Sequence, residues 1–318
     1  MADRLHVATR KGLFEIARRG GDWEVIDAQF LGDPVSAVLA DPEGAVYAAL
    51  DLGHFGAKLW RRAPGSSTGA ATWREIAVPI FPPKPDDSAG DPHPWSLGKI
   101  WVIEAGGVAG RLWAGTMPGG LFRSDDGGGS WSLVETLWRM PERRQWVGVA
   151  GGEQPGINSV LVDPRDPADI RIGVSTAGVW ASSDAGLSWR LINQGMYAEY
   201  MPPELRGEPI AQDVHRLARC AAHPEIIWCQ HHNGVFRSED AGAAWHEITA
   251  IRPSKFGFAV AAHPRDPLTA WFVPAIKDER RIPVDGRLVV ARTRDGGRSF
   301  DTLSKGLPQS AAYDLVLR

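Results

Sequence analysis

The sequence predicts an all-β chain, a six-bladed β-propeller of four-stranded blades, and three observations carry that expectation. First, Ser124-Asp125-Asp126-Gly127-Gly128-Gly129-Ser130-Trp131 returns as Ser182-x-Asp184-x-Gly186-x-Ser188-Trp189, Ser238-x-Asp240-x-Gly242-x-Ala244-Trp245 and Thr293-x-Asp295-x-Gly297-x-Ser299-Phe300. The aspartates recur at intervals of 58, 56 and 55 residues, a period that marks a solenoid, propeller or array. Second, each copy has the chemistry of a hairpin turn, with short polar side chains beside a glycine that accepts positive φ, and it follows an apolar run such as Gly178-Val179-Trp180-Ala181. Third, the terminal aromatic extends backwards in register to Trp73 and Trp23, behind the degraded turns Gly65-Ser66-Ser67-Thr68-Gly69 and Arg19-Gly20-Gly21-Asp22. Six units of roughly 50 residues use the chain as one domain.

In order, the blades are expected at about 1–30 plus 311–318, 34–79, 95–137, 157–193, 212–249 and 257–304. The first lacks its opening strand: Leu5 to Thr9, Leu13 to Ile16 and Trp23 to Phe30 give three. The alternating stretch Ala312 to Leu317 is expected to supply the fourth and to close the ring against the N-terminal strands, removing exposed edges. Later blades share a first turn, Asp41-Pro42, Asp163-Pro164, His223-Pro224 and His263-Pro264, where proline presets φ. His223 and His263 are therefore turn residues. Strand alternation puts this turn and the repeat turn at one end of each blade. The long connections 79–98, 136–156, 193–212 and 274–287 lie at the other, where a site is expected.

A net charge of −3 gives no footprint for nucleic acid, and no stretch is apolar enough to span a membrane. The N-terminal residues lack the layout of a signal peptide, so a cytoplasmic protein is expected. Cys220 and Cys229 flank one turn, and a pairing sum near 449 would set them opposite each other. In a reducing compartment two buried free thiols are the expectation, with no redox role.

The same register places His215 opposite Asn233 and Gly234, near one of His231 and His232, with Asp213 one alternation step before it. Imidazoles so spaced suit two metal ligands, or an acid/base pair oriented by Asp213. His215, Asp213, His232 and Tyr313 form the catalytic set. His54, His93, His215 and His231 form the metal set, with one divalent ion as the cofactor. Lys99, Arg143, Arg144, Lys255 and Arg281 are cations suited to clamp a carboxylate or phosphate, and Trp95 could stack on a sugar. Against these stand structural readings: histidines that hold loop carbonyls, solvated charges and loop-anchoring aromatics. No HExxH or paired CxxC spacing adds to the metal set.

The four full copies resemble the Asp-box, or BNR, repeat of sialidases, xyloglucan-active glycosidases and the photosystem II stability/assembly factor family. The resemblance implies a β-propeller, with the boxes on the rim away from the active site, so that Asp126, Asp184, Asp240 and Asp295 are structural. It implies two alternatives to a hydrolase-like or lyase-like protein acting on a small anionic or sugar-like molecule. One is an assembly platform whose partner is a protein rather than a small-molecule or saccharide ligand. The other is a sialidase, a family with an Arg-Ile-Pro motif before its first box, three arginines and a Tyr/Glu nucleophile pair. Arg281-Ile282-Pro283 precedes the last box instead, Arg10 stands without the motif, and Tyr313 has no nearby Glu.

Overall fold

The computed structural model describes residues 3–66, 69, 72–88, 90–146, 148, 154–314 and 316. Its six antiparallel sheets, each a meander in chain order, are the blades of the six-bladed β-propeller that the sequence predicts. They fall into two compact units, Met1–Arg144 and Gln145–Arg318. The first unit holds β1 (Arg4–Thr9), β2 (Gly12–Arg19) and β3 (Asp22–Gln29), then β4 (Val35–Ala40), β5 (Val46–Asp51), β6 (Ala57–Arg62) and β7 (Trp73–Ile76). Its third blade is β8 (Lys99–Ala105), β9 (Leu112–Met117), β10 (Leu121–Ser124) and β11 (Ser132–Leu133), followed by the single helical turn α1 (Glu135–Trp138). The second unit holds β12 (Ile157–Asp163), β13 (Asp166–Val174), β14 (Gly178–Ser182) and β15 (Arg190–Leu191), then β16 (Val214–Cys220), β17 (His223–His231), β18 (Gly234–Ser238) and β19 (His246–Ile248). Its last blade is β20 (Gly257–Ala262), β21 (Ala270–Pro274), β22 (Val290–Thr293) and β23 (Asp301–Leu303).

Among the described residues, five blades have four strands and the first has three. The closing strand expected over 312–317 includes Leu315 and Leu317, which lie outside the described residues, as do Ser67 and Thr68 of one degraded turn.

Cores form where successive blades face each other. Tyr47, Leu59, Ile100 and Phe122 pack together in the first unit. In the second, Val179, Ile227, Phe236 and Trp245 form one cluster and Trp228, Val235 and Phe272 another. Covered on both faces, β14 and β18 are buried at every residue, so they read as apolar runs and not as alternating strands.

The repeat turn is the same device in all four copies. In the first, Ser124 Oγ donates to Asp126 Oδ1 (2.8 Å) and accepts from Gly128 N–H (2.9 Å), while the Asp126 carboxylate accepts from Ser130 N–H (2.9 Å) and Ser130 Oγ (2.7 Å). These bonds recur around Asp184 and Asp295. Around Asp240 the hydroxyl donor is missing because residue 244 is alanine. The serine hydroxyl, and then the backbone N–H groups, hold the carboxyls of Asp126, Asp184 and Asp295 at about 2.

The residue after each aspartate is left-handed: Gly127, Ala185, Ala241 and Gly296 have φ of 69°, 58°, 59° and 76°. Its N–H donates to the first turn of the same blade, at Gly110 O, Ala168 O, Glu225 O and Leu268 O. Both turns are thereby tied at one end, leaving the long connections at the other. The next glycine is required for a second reason, since a Cβ on Gly242 would lie 2.6 Å from Ile192 of the preceding blade and one on Gly297 2.8 Å from Ile248.

Two sequence expectations need correction. The β16/β17 pairing sums to 446, with Leu217 opposite Cys229 and Cys220 opposite His223, so the two cysteines do not face each other. They sit in different core clusters, and both are buried free thiols, as expected. Trp23 continues the aromatic series in sequence but not in packing: it is 47 % exposed, whereas Trp73 is buried.

Candidate functional site

The first strands of blades two to six carry a bulge at the same place, one or two residues inside the long-loop end. The unpaired residue is Ser36, Trp101, Asn158, His215 or, in the last blade, Phe258 of a Phe258–Ala259 pair. A bulge re-aims the side chain it carries. In two cases that side chain reaches the following blade: Asn158 Nδ2 donates to Val214 O (2.6 Å), and His215 Nδ1 lies 2.7 Å from Gly257 O. Each acceptor immediately precedes the next bulge. A carbonyl accepts only, so His215 carries its proton on Nδ1 and presents Nε2 elsewhere.

Nε2 points at Asp213, 3.5 Å from Oδ2. His232 Nδ1 lies 3.1 Å from the same oxygen, and its backbone N–H donates to Asp213 O (2.9 Å). Oδ1 receives Thr176 N–H at 3.3 Å and Ser175 Oγ at 3.4 Å. The side chains of Asp213, His215 and His232 are 5 %, 6 % and 20 % exposed. Burial alone would raise the Asp213 carboxyl, yet the charges and hydrogen bonds of the two imidazoles outweigh it and hold the group well below the usual carboxylate range. For His232, burial works to lower the imidazole, and the Asp213 hydrogen bond and charge overcome it to leave a raised value.

Aromatic rings wall the cluster. Phe258 stacks on His215 at 4.4 Å, Phe256 meets both imidazoles edge-on at 5.6 Å, and Tyr200 approaches His232 at 4.8 Å. Arg281 lies over the Phe258 ring, 5.5 Å from its centroid, and is ion-paired with Asp278.

Of the expected residues, the structure therefore brings together Asp213, His215, His232 and Arg281. Among the described residues, the one group of three or more His, Cys, Asp or Glu side chains able to converge on an ion is Asp213, His215 and His232, which corrects the expected metal set. His231 faces the core instead, against Phe236 at 5.3 Å, where burial drives it down to about 3 and keeps it neutral. His54 is exposed on a short helical turn, its ring against Phe55. His93 is buried beside Asp91, to which its N–H donates.

Arg143 is not a clamp: 2 % exposed, it grips Asp91 with two nitrogens, donates Nε to Trp138 O and lies on the Trp138 ring. Trp95 donates Nε1 to the same Asp91 and abuts Trp138, so it anchors a loop. Lys99 sits 4.8 Å over Trp101, Arg144 is exposed, and Lys255 is neutralised by Glu199 and Glu247. Tyr313 is 66 % exposed near Gly286 and makes no contact with the cluster among the described residues. Phe256 and Phe258 were not in the expected site. The bulge positions Trp101, Asn158 and His215 recur every 57 residues, but Phe258 follows His215 by only 43, so that period does not reveal it.

No protein-family model and no curated protein matches the chain. Solved structures do. A GH74 xyloglucanase from Xanthomonas campestris is 19 % identical with a TM-score of 0.62 over 95 % of this chain and 44 % of its own length. YCF48 from Cyanidioschyzon merolae is 13 % identical with a TM-score of 0.58 over 97 % and 83 %. YCF48 bound to a D1 peptide is 16 % identical with a TM-score of 0.53 over 96 % and 82 %. The chain thus spans less than half of the xyloglucanase, and at these identities the likeness is one of fold.

Proposed function

We propose that the protein is a hydrolase-like or lyase-like enzyme that takes a small polar molecule, anionic or sugar-like, at the long-loop end of its fifth and sixth blades. The observation that carries this reading is the Asp213 carboxylate, buried and shared by two imidazoles under an aromatic layer. A structural role would need only the tie from His215 Nδ1 to Gly257 O, and asparagine makes that tie one blade earlier. The second imidazole and the buried carboxylate are surplus to it. They are donors that acid/base and metal-assisted chemistry both use. Arg281 stands at the edge with a guanidinium that could exchange Asp278 for a substrate carboxylate. Two buried thiols fit the reducing, cytoplasmic setting.

The test is a calorimetric screen of sugars, sugar acids, short carboxylates and their esters against the protein and its Asp213→Asn variant. Saturable binding that the variant loses supports the reading. Binding that Asp213→Asn and His232→Ala leave unchanged would overturn it.

A second reading, a platform for a protein partner, draws support from the extent of the YCF48 match, which covers most of both chains where the xyloglucanase match does not. Capture of a partner at a surface insensitive to Asp213→Asn, with no small ligand bound, would favour it.

A further inference from the structure

We infer that Asp213 Oδ2, His215 Nε2 and His232 Nδ1 are three ligands of a divalent transition-metal site with a position left open for substrate. The inference rests on the proposed site and adds what that site holds. Its first support is spacing. Oxygen and nitrogen donors each ~2.1 Å from an ion stand ~3.0 Å apart at a right angle and ~3.4 Å apart at the tetrahedral angle. The two nitrogens lie 3.1 and 3.5 Å from Asp213 Oδ2, and each of the three residues offers a ligand atom within 4.8 Å of one offered by the others.

The second support is the proton on His215. Its Nδ1 is committed to Gly257 O at 2.7 Å, and a ring N–H donated to a backbone carbonyl is the usual way a ligating histidine is oriented and its other nitrogen made more basic. With neutral imidazole, the Nε2 lone pair and the carboxylate oxygen face each other as two acceptors 3.5 Å apart in a buried setting. That arrangement is unfavourable unless a proton or a metal ion lies between them, and a metal takes the place that a proton on Nε2 would otherwise hold. The carboxylate is steadied in turn, through its other oxygen, by Thr176 N–H and Ser175 Oγ.

Two imidazoles and one carboxylate favour zinc, nickel or iron over calcium or magnesium, which prefer all-oxygen sets. One carboxylate against two ionic charges leaves the centre with net positive charge. That matches an anionic or oxygen-rich substrate, whose oxygen would complete the coordination.

Asparagine at residue 158 supplies the control, because it already makes from a bulge the bond that His215 Nδ1 makes. His215→Asn keeps that tie and removes only the Nε2 donor. Tag-free protein, stripped with EDTA and dialysed, would be titrated calorimetrically with zinc and with nickel. The stripped protein would go through the ligand screen in parallel, and melting curves would verify the fold of each variant. One equivalent bound by the wild type, weakened at least tenfold in His215→Asn and His232→Ala and unchanged in His54→Ala, is the expected result. Binding well below one equivalent, or full affinity in His215→Asn, overturns the metal site. If metal binding fails while the stripped protein still binds a ligand that Asp213→Asn loses, this inference falls and the proposed function stands.

Discussion

Asp91 and Asp213 are both buried aspartates in segments that lead into a blade, each surrounded by nitrogen donors, and they do opposite work. Asp91 is met by two nitrogens of Arg143, by His93 N–H and by Trp95 Nε1. Burial would raise its carboxyl, but those bonds together bring it down to about 2. Arg143 keeps its proton at any accessible pH and has no acceptor to offer, so the pair can only hold the loop against Trp138. Asp213 meets imidazoles, each of which keeps a second nitrogen and can change protonation or bind an ion. What separates a staple from a reactive centre here is the chemistry of the partner, and not the burial of the acid.

The sharpest way to break that comparison is to remove one partner from the staple. Arg143→Met leaves Asp91 buried and uncompensated, and a loss of about 3–5 kcal/mol in urea unfolding is expected. The double variant Asp91→Leu/Arg143→Met should recover much of it. A single-variant loss below about 1 kcal/mol would mean the pair is no staple.

Asp213→Asn should cost less, about 1–3 kcal/mol as a buried group left without its full set of bonds, yet eliminate ligand and metal binding. Equal losses of stability at Asp91 and Asp213 would erase the distinction.

Acid sharpens it further. The folded Asp91 carboxyl is depressed to about 2, below the unfolded value of about 3.9. Its stabilisation is therefore complete above the unfolded value and is lost as pH falls through about 2. Arg143→Met, which lacks this contribution, should lose less stability than the wild type between pH 5 and pH 2 in chemical denaturation. Parallel curves would contradict the assignment.

The smallest expected effect lies at the opposite end of the blades. Ala244→Ser restores the hydroxyl donor missing from the third repeat turn and should raise stability by about 0.5–1 kcal/mol, with the Asp240 carboxyl falling further in an NMR titration. No change in either would show that the other bonds already saturate Asp240.

The propeller was legible because the repeat turn is local: Ser, Asp, Gly and Ser within seven residues make all their bonds to each other, so the pattern survives in the sequence intact. The register of the fifth blade was not. Pro224 reads as a turn residue, but the hairpin closes between Cys220 and His223, and Pro224 falls inside β17 in a stretch unpaired on both sides, where its missing N–H costs nothing. That slip of three left His231 and His232 undistinguished, so His232 entered the catalytic set and His231 the metal set. Arg143 and Trp95 looked like ligand-binding groups because nothing near them in sequence reveals that Asp91 and Trp138 converge on them. Asp213 and His215 were found because strand alternation alone puts them together.

The bulge that carries His215 also bears on how such a chain can diversify. Its residue is excused from the strand ladder, and the positions matching it hold a serine, a tryptophan, an asparagine and a phenylalanine without disturbing the pairing on either side. Copying a blade therefore copies a conserved fastening at one end and a blank address at the other. New chemistry can be written there one blade at a time, while the copies keep folding alike.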